Sequence, residues 1–490
     1  MPINVSRRHF LGCSAAGGAL LLSPFAAGAR SAPVEEGWIN LPPVKIHTVY
    51  VGRTGDIYLS RPTDEIAKFK HYLAGIEEKL GDISFVGGET VPPENVDNVL
   101  AKLGEADGVL MFHLSGHGGG APQEAMQKIV EAGLPTVVFT QPFSGHGWMY
   151  FPQWQKEGKK VVLLPTSDWS ELDRIAGLMR VPARLKQTRV LVVRGPMGTA
   201  AACAAEQLKT KYGVEMIPVT VEQTIEAFNA VNIKDAEAEA QRYWIKPAKD
   251  IIEPTSDEIV AATRYYLALK NMMIANNAIA VTSSNCMGDP AKGCLAFSKL
   301  NDMGYVGACE GDMDSTLTML MFAYGFGVPG FISDPVVDTA RNALIHFHCT
   351  SATKMDGPGS KRRPFTIRTQ TDSHRGVALD VENRVGQAVT CAKLVNLDSM
   401  LISTGKIIDV THDKLGCRTQ FVTEVDDANS LFQNWGEGLC GKDTMTLLHR
   451  VVFYGDYAKS MKDLGVLAGF EVVEEGKRAQ TKIAYADYPL

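Results

Sequence analysis

The chain has 490 residues, 45% of them hydrophobic and 21% charged, with a net charge of −6 at pH 7. That length exceeds what one hydrophobic core organises and implies two to four domains. Nothing in the acidic balance suggests nucleic acid or an anionic membrane surface as a partner, and no apolar run beyond the first residues is long enough to span a bilayer.

The N-terminus reads as an address. Ser6-Arg7-Arg8-His9-Phe10-Leu11 resembles the twin-arginine export pattern. It is followed by a mild apolar stretch at 12–22 and by Ala27-Gly28-Ala29, a small-residue cleavage site. A charged start, a short apolar core and a small-residue site define a secretory signal, here 1–32. The expectation is passage through the twin-arginine translocation machinery to the periplasm or beyond, a route that carries folded proteins, often with a metal already loaded. Nine cysteines are present, eight of them after the signal, and none forms a Cys-x-x-Cys pair. Scattered through a chain that folds before export, they are expected to stay reduced and to pack as small hydrophobes.

Residues 33–43 read as a polar tether. Strands are predicted at 44–51, 107–113 and 135–140, with helices at 62–80 and 122–132 between them. Largely apolar strands alternating with helices predict a doubly wound parallel sheet in a first domain, 33–165. Two Gly- and His-bearing loops follow its strands, at 115–120 and 144–148. His117, His146 and Trp148 in these loops are candidate substrate contacts, Trp148 by stacking on a sugar ring. A second α/β domain, 166–345, is predicted from strands at 188–195 and 277–282 and helices at 198–211, 225–243 and 256–275. Past residue 360 short β-like runs at 364–368, 376–380, 388–394, 406–410 and 418–422 are divided by turn residues. They predict a β-rich, antiparallel, barrel-like C-terminal domain, 346–490, with a last helix at 457–469. Lys361-Arg362-Arg363 reads as a solvated loop.

The stretch 305–348 carries the chemistry. A strand at 305–309 ends at Glu310, a helix follows at 314–326, and a strand at 330–332 ends at Asp334. Read as one strand–helix–strand crossover between neighbouring parallel strands, this unit sets the two carboxylates about 5 Å apart at the sheet's ligand edge. Two carboxylates so close repel unless one is protonated or a cation lies between them. A divalent cation suits them, manganese first, then magnesium, zinc or cobalt. His346 and His348 follow on one face of a strand, and His449 starts a later one. Asn285 and Asp312, near the same crevice, are candidates for binding substrate hydroxyls, with His346 beside them.

Ala308-Cys309-Glu310-Gly311-Asp312, the apolar helix, Asp334, His348 and His449 together resemble the L-fucose isomerase and L-arabinose isomerase superfamily. The resemblance covers roughly 44–490 in architecture: two α/β domains and then a β-rich one. It implies that Glu310, Asp334, His348 and His449 hold a divalent metal, with Leu448 standing where the arabinose-type enzymes carry a further histidine. It also implies aldose–ketose isomerisation through a metal-stabilised enediolate, with Glu310 and Asp334 as base and acid. A homo-oligomer follows by the same resemblance, since one subunit's first domain can complete another's site. Export favours two rivals on the same fold: a metal-dependent glycoside hydrolase or lyase, and a periplasmic sugar-binding protein without turnover. Two crevice carboxylates argue against the second.

Overall fold

The computed structural model describes residues 41–52, 62–91, 95–114, 121–144, 147–371, 373–436 and 444–477. The proposed signal, the loop at 115–120 and His146 lie outside these residues.

The first sheet holds β1 (Val44–Val51), β2 (Ile83–Val91), β3 (Gly108–His113), β4 (Thr136–Thr140) and β5 (Val161–Pro165). Their order is β2-β1-β3-β4-β5, all parallel. Every residue of β3 and β4 is buried, as a strand covered on both faces requires. Helix Pro62–Leu80 sets Phe69, Leu73, Ile76 and Leu80 on one stripe against Tyr50 and Phe112. Helix Ala121–Glu131 packs Ala125, Met126 and Ile129 against Val49 and Val51. Neighbouring residues of β1 thus face different helices, and the sheet is doubly wound as predicted.

Helix Ser170–Lys186 leads into the second sheet, formed by β6 (Arg189–Val193), β7 (Glu215–Val219), β9 (Ala280–Ser283) and β10 (Val306–Cys309); β8 (Asp250–Ile251) pairs elsewhere. The order is β10-β9-β6-β7, again all parallel. Thr255 and Glu258 close a capping box on helix Ser256–Ala275. Helix Cys294–Asp302 lies so close to β10 that a Cβ on Gly307 would stand 2.7 Å from the Phe297 Cα.

The C-terminal strands are β11 (Phe331–Asp338), β12 (Ala343–His348), β13 (Phe365–Arg368), β14 (Ala378–Val381), β15 (Ala388–Val395), β16 (Ser399–Asp409), β17 (Thr419–Glu424), β18 (Arg450–Tyr454) and β19 (Glu471–Glu474). Six of them run β15-β18-β11-β12-β17-β16, and β16 pairs back to β15, which closes an antiparallel barrel. Closure removes the exposed edges of an open sheet. β19 adds in parallel to β16, and β13, β14 and β8 make a separate three-stranded sheet. The rings of Phe322 and Phe453 stack at 3.6 Å between centroids and tie helix Met313–Phe326 to the barrel.

One expectation fails here. The segments around 305–309 and 330–332 are not neighbouring strands of one crossover. β10 is the edge of the second sheet, whereas β11 lies in the barrel between β12 and β18, antiparallel to both. Nor does Asp334 end its strand; it lies inside β11, opposite Phe347. β11 runs on through Pro335 to Asp338 and turns back at once into β12, so its pairing is met by a hairpin. Helix Met313–Phe326 therefore bridges two sheets.

Candidate metal site between the second sheet and the barrel

Glu310 follows the last residue of β10 with φ +58°, and Gly311 follows with φ +73°. Left-handed backbone is uncommon outside glycine, and its presence at a carboxylate on a strand end marks a position held by its surroundings. A Cβ on Gly311 would stand 3.1 Å from Gly195 O and from the Ser284 Cβ, tighter than ordinary contact, and the positive φ adds strain for any larger residue. The Met197 amide donates to Gly311 O at 2.8 Å, and the Met313 amide donates to Met197 O at 2.9 Å. Asp312 then caps helix Met313–Phe326, accepting from the Ser315 amide at 2.9 Å and its hydroxyl at 2.8 Å. The turn lifts Glu310 to the carboxyl ends of the second sheet.

The barrel supplies the remaining groups. His449 Nε2 lies 3.4 Å from Glu310 Oε2 and 3.5 Å from Asp334 Oδ1, and His348 Nε2 lies 3.7 Å from Glu310 Oε1. Ligand atoms of Asp334, His348 and His449 all fall within 4.8 Å of one another, as do those of Cys309, Glu310 and His348. The Glu310 side chain is 46% exposed and that of Asp334 31%, while the two imidazoles are buried at 3% or less. The carboxylates thus face the crevice and the histidines form its floor. The four predicted residues come together, but across the junction of two sheets.

The donor set fits a divalent cation. His449 Nδ1 is 2.8 Å from Asp312 Oδ2, which leaves Nε2 buried without a hydrogen-bond partner among the described residues. A carboxylate behind the far nitrogen of an imidazole is the usual support of a metal-bound histidine. Spacings of 3.4–3.7 Å exceed an ordinary hydrogen bond and are close to the edge of a coordination polyhedron whose bonds are about 2.1 Å. Electrostatics point the same way. His348 and then His449 hold the Glu310 carboxyl well below the usual carboxylate range, against its burial. Burial alone would lower the pKa of His449, yet Asp312 and Glu310 push it up to about 9. The pocket calls for positive charge.

Behind His449 lies a network that the sequence does not announce. Lys393, fully buried in β15, reaches Asp312 Oδ2 at 3.1 Å and donates to Met445 O at 2.7 Å and to Leu448 O. Burial works against the Asp312 charge, but Lys393 and His449 hold its carboxyl well below the usual range. Asp314 accepts from the Thr199 amide at 2.6 Å and its hydroxyl at 2.7 Å, and burial, with Asp312 nearby, pushes it up to about 7.

Two predicted substrate contacts are therefore corrected. Asp312 is 1% exposed and is spent on His449, Lys393 and its helix cap, with none of its carboxylate left for a hydroxyl. His346 lies inside the barrel, hydrogen-bonded to the hydroxyls of Ser333 at 2.8 Å and Thr423 at 2.9 Å, and burial pushes it down to about 3. Asn285 does sit past the end of β9, the neighbour of β10, where its amide donates to Asp289 O and its carbonyl lies 3.4 Å from Arg194 Nη1. Trp148 is half-exposed on the single turn Gly147–Tyr150 beyond β4. His117 and His146 are outside the described residues.

Comparison with known proteins gives a distant relative. Over 162 residues the chain is 31% identical to a sulfoquinovose isomerase from Clostridium sp. (strain MSTE9), a match to 32% of this chain and 35% of that protein. The match thus spans about a third of the length of this curated relative. No family model matches the chain. Among solved structures, an ABC transporter solute binding protein from Burkholderia multivorans aligns with 50% of this chain and 80% of its own at 12% identity, with a TM-score of 0.16, too low to bear on fold or function. Among the described residues no helix is long and apolar enough to cross a membrane.

Proposed function

We propose that the protein is a divalent-metal-dependent sugar isomerase that interconverts an aldose and a ketose. The observation that carries this reading is the buried His449 Nε2, which makes no hydrogen bond among the described residues and is set by Asp312 to face Glu310 and Asp334 with His348 beside them. The relative named above is a sugar isomerase, which supports the same class of reaction.

Glu310, Asp334, His348 and His449 would hold the cation, manganese in the first instance. When bound it would supply positive charge against the oxyanion that develops as a proton leaves carbon. Glu310, half-exposed and kept ionised by the two histidines, is placed to accept the proton from the carbon beside the carbonyl and to return it to the adjacent carbon. Asp334, the other crevice carboxylate, moves the hydroxyl proton between the two substrate oxygens. Asp312 and Lys393 keep His449 in one tautomer, so the floor of the site does not reorganise during the transfer. Export through the twin-arginine route belongs to the same proposal and places this isomerase in the periplasm or outside the cell.

The test is to incubate the manganese-loaded protein with free aldoses and ketoses, sulfoquinovose among them, and with a set of glycosides. Aldose–ketose interconversion, lost by about 100-fold or more in Glu310→Gln, is the expected result. Released monosaccharide or an unsaturated product would establish a hydrolase or lyase instead. Sugar binding without turnover would establish a binding protein. Glu310→Gln with full turnover and metal content would remove Glu310 from the chemistry.

A further inference from the structure

Arg194 follows the last residue of β6, as Glu310 follows the last residue of β10. Val193, Ser283 and Cys309 stand in one row across β6, β9 and β10, so Arg194 and Glu310 leave the sheet at the same level. They are two strands apart, about 10 Å at ordinary strand spacing. Both have left-handed backbone, with φ +66° at Arg194 and +58° at Glu310. An arginine keeps that conformation only where its surroundings impose it. Here the Arg194 amide donates to Val219 O at 3.0 Å, and the carbonyl of the next residue, Gly195, lies against the Gly311 turn beside Glu310. The exposed side chain leans over β9, since Nη1 donates a long hydrogen bond of 3.4 Å to Asn285 Oδ1. The Asn285 amide is itself held by Asp289 O at 3.0 Å. Because β9 lies between β6 and β10, this contact carries the guanidinium from β6 toward the Glu310 side of the crevice. Among the described residues no carboxylate lies within 4 Å of it, and its Nε and Nη2 make no hydrogen bond to protein.

We propose that Arg194 binds an anionic group at the far end of the sugar chain, so that the substrate is a six-carbon sugar with a carboxylate, sulfonate or phosphate on its last carbon. The inference rests on the isomerase reading, in which the first two carbons lie at Glu310 and Asp334, and it adds which sugars are taken. The reach agrees. With carbon–carbon bonds of about 1.5 Å, an extended chain from C2 to C6 covers about 5 Å, and the anion's oxygens with hydrogen bonds of about 2.8 Å to the guanidinium cover most of the rest. The charges agree as well. Glu310 and Asp334 repel a further anion placed beside them, whereas two strands away a fixed guanidinium attracts it. A guanidinium presents a planar fork of donors that matches the oxygens of a carboxylate or phosphate, and Asn285 engages only one of its hydrogens. A neutral hydroxyl in the same place would gain hydrogen bonding without charge pairing.

The test measures binding apart from turnover. A panel of hexoses, with the matching uronates, 6-phosphates and 6-sulfonates, is reduced to alditols, which cannot isomerise, and each is titrated calorimetrically into the manganese-loaded full-length protein. The tightest ligand should be an anionic alditol, bound at least tenfold more tightly than its neutral counterpart, and which anion binds best identifies the group. The preference should shrink as salt is raised. Arg194→Gln should abolish it while manganese affinity and far-ultraviolet circular dichroism stay those of the wild type, and Arg194→Lys, which keeps the charge and loses the fork, should restore it in part. A neutral alditol binding as tightly as its anionic partners, no binding by any anionic alditol, or a preference undiminished in Arg194→Gln would each overturn the assignment. Interconversion of neutral sugars with no anionic preference would overturn it and leave the isomerase reading standing. An Arg194-dependent preference in a protein that interconverts none of the parent sugars would support the anion site and overturn the isomerase reading.

Discussion

At the scale of single residues, the account turns on His449. Its φ of +64° is left-handed, and its ring is fixed by Asp312, which Lys393 holds in turn. Removing a carboxylate that orients a ligating histidine typically weakens metal binding about 10–100-fold. Asp312→Asn should therefore lower manganese affinity by that factor in a calorimetric titration, with the far-ultraviolet circular dichroism of the wild type retained; unchanged affinity would dissociate Asp312 from the metal. Glu310 and Asp334 were singled out by side-chain type and placement near strand ends, His348 and His449 only by the resemblance to a known superfamily, and the fold brings the four together. Lys393 was not legible: a lysine inside an apolar strand run carries no local mark of burial, and its partner lies 81 residues away. Asp312 was seen but misread, because spacing cannot say whether a carboxylate two residues past Glu310 faces the crevice or turns back to cap its helix.

At the scale of elements, the close approach of helix Cys294–Asp302 to β10 fixes where Glu310 stands. Gly307→Ala would drive a Cβ into the Phe297 backbone, and the overpacking should cost about 1–3 kcal/mol in urea unfolding. A second element-scale effect comes from His113, buried at the end of β3, where burial pushes its pKa down to about 4. An unfolded histidine titrates near 6.5, so in that window the unfolded chain binds the proton and the native one does not. The stability this neutral histidine contributes is complete above about pH 6.5 and is lost as the pH falls toward 4. Between pH 7 and 5 the wild type should lose about 2 kcal/mol more than His113→Asn, measured by paired urea titrations. A variant that loses as much as the wild type would contradict the assignment. The strands of the first sheet were legible as continuous apolar runs, since both faces are covered. β2 was not, because Gly87 and Gly88, with φ of +80° and +86°, interrupt its pattern. The crossover was misread for a different reason. A strand, a helix and a strand look alike in sequence whether the second strand rejoins its sheet or enters another. The choice is made by pairing with β18, about 120 residues downstream.

At the scale of the molecule, the site belongs to neither layer alone. Glu310 comes from the end of the second sheet, and Asp334, His348 and His449 come from the barrel, so a cation bound by all four would tie the two together. Ligand that binds only the native state stabilises by mass action, by about 2.7 kcal/mol at 100 times its dissociation constant. Manganese at that excess should raise the unfolding free energy by that amount. His449→Gln should lose most of the gain, and an equal gain in both proteins would place the cation elsewhere. The claim that the cation serves proton transfer between adjacent carbons is tested most directly by isotope exchange. A ketose that the wild type turns over is held in heavy water with manganese-loaded protein, and its proton spectrum is followed. The account predicts deuterium at the carbon beside the carbonyl, together with the isomeric aldose, both absent in Glu310→Gln. Aldose formed with no solvent deuterium at either carbon, or exchange that persists undiminished in Glu310→Gln, would contradict it.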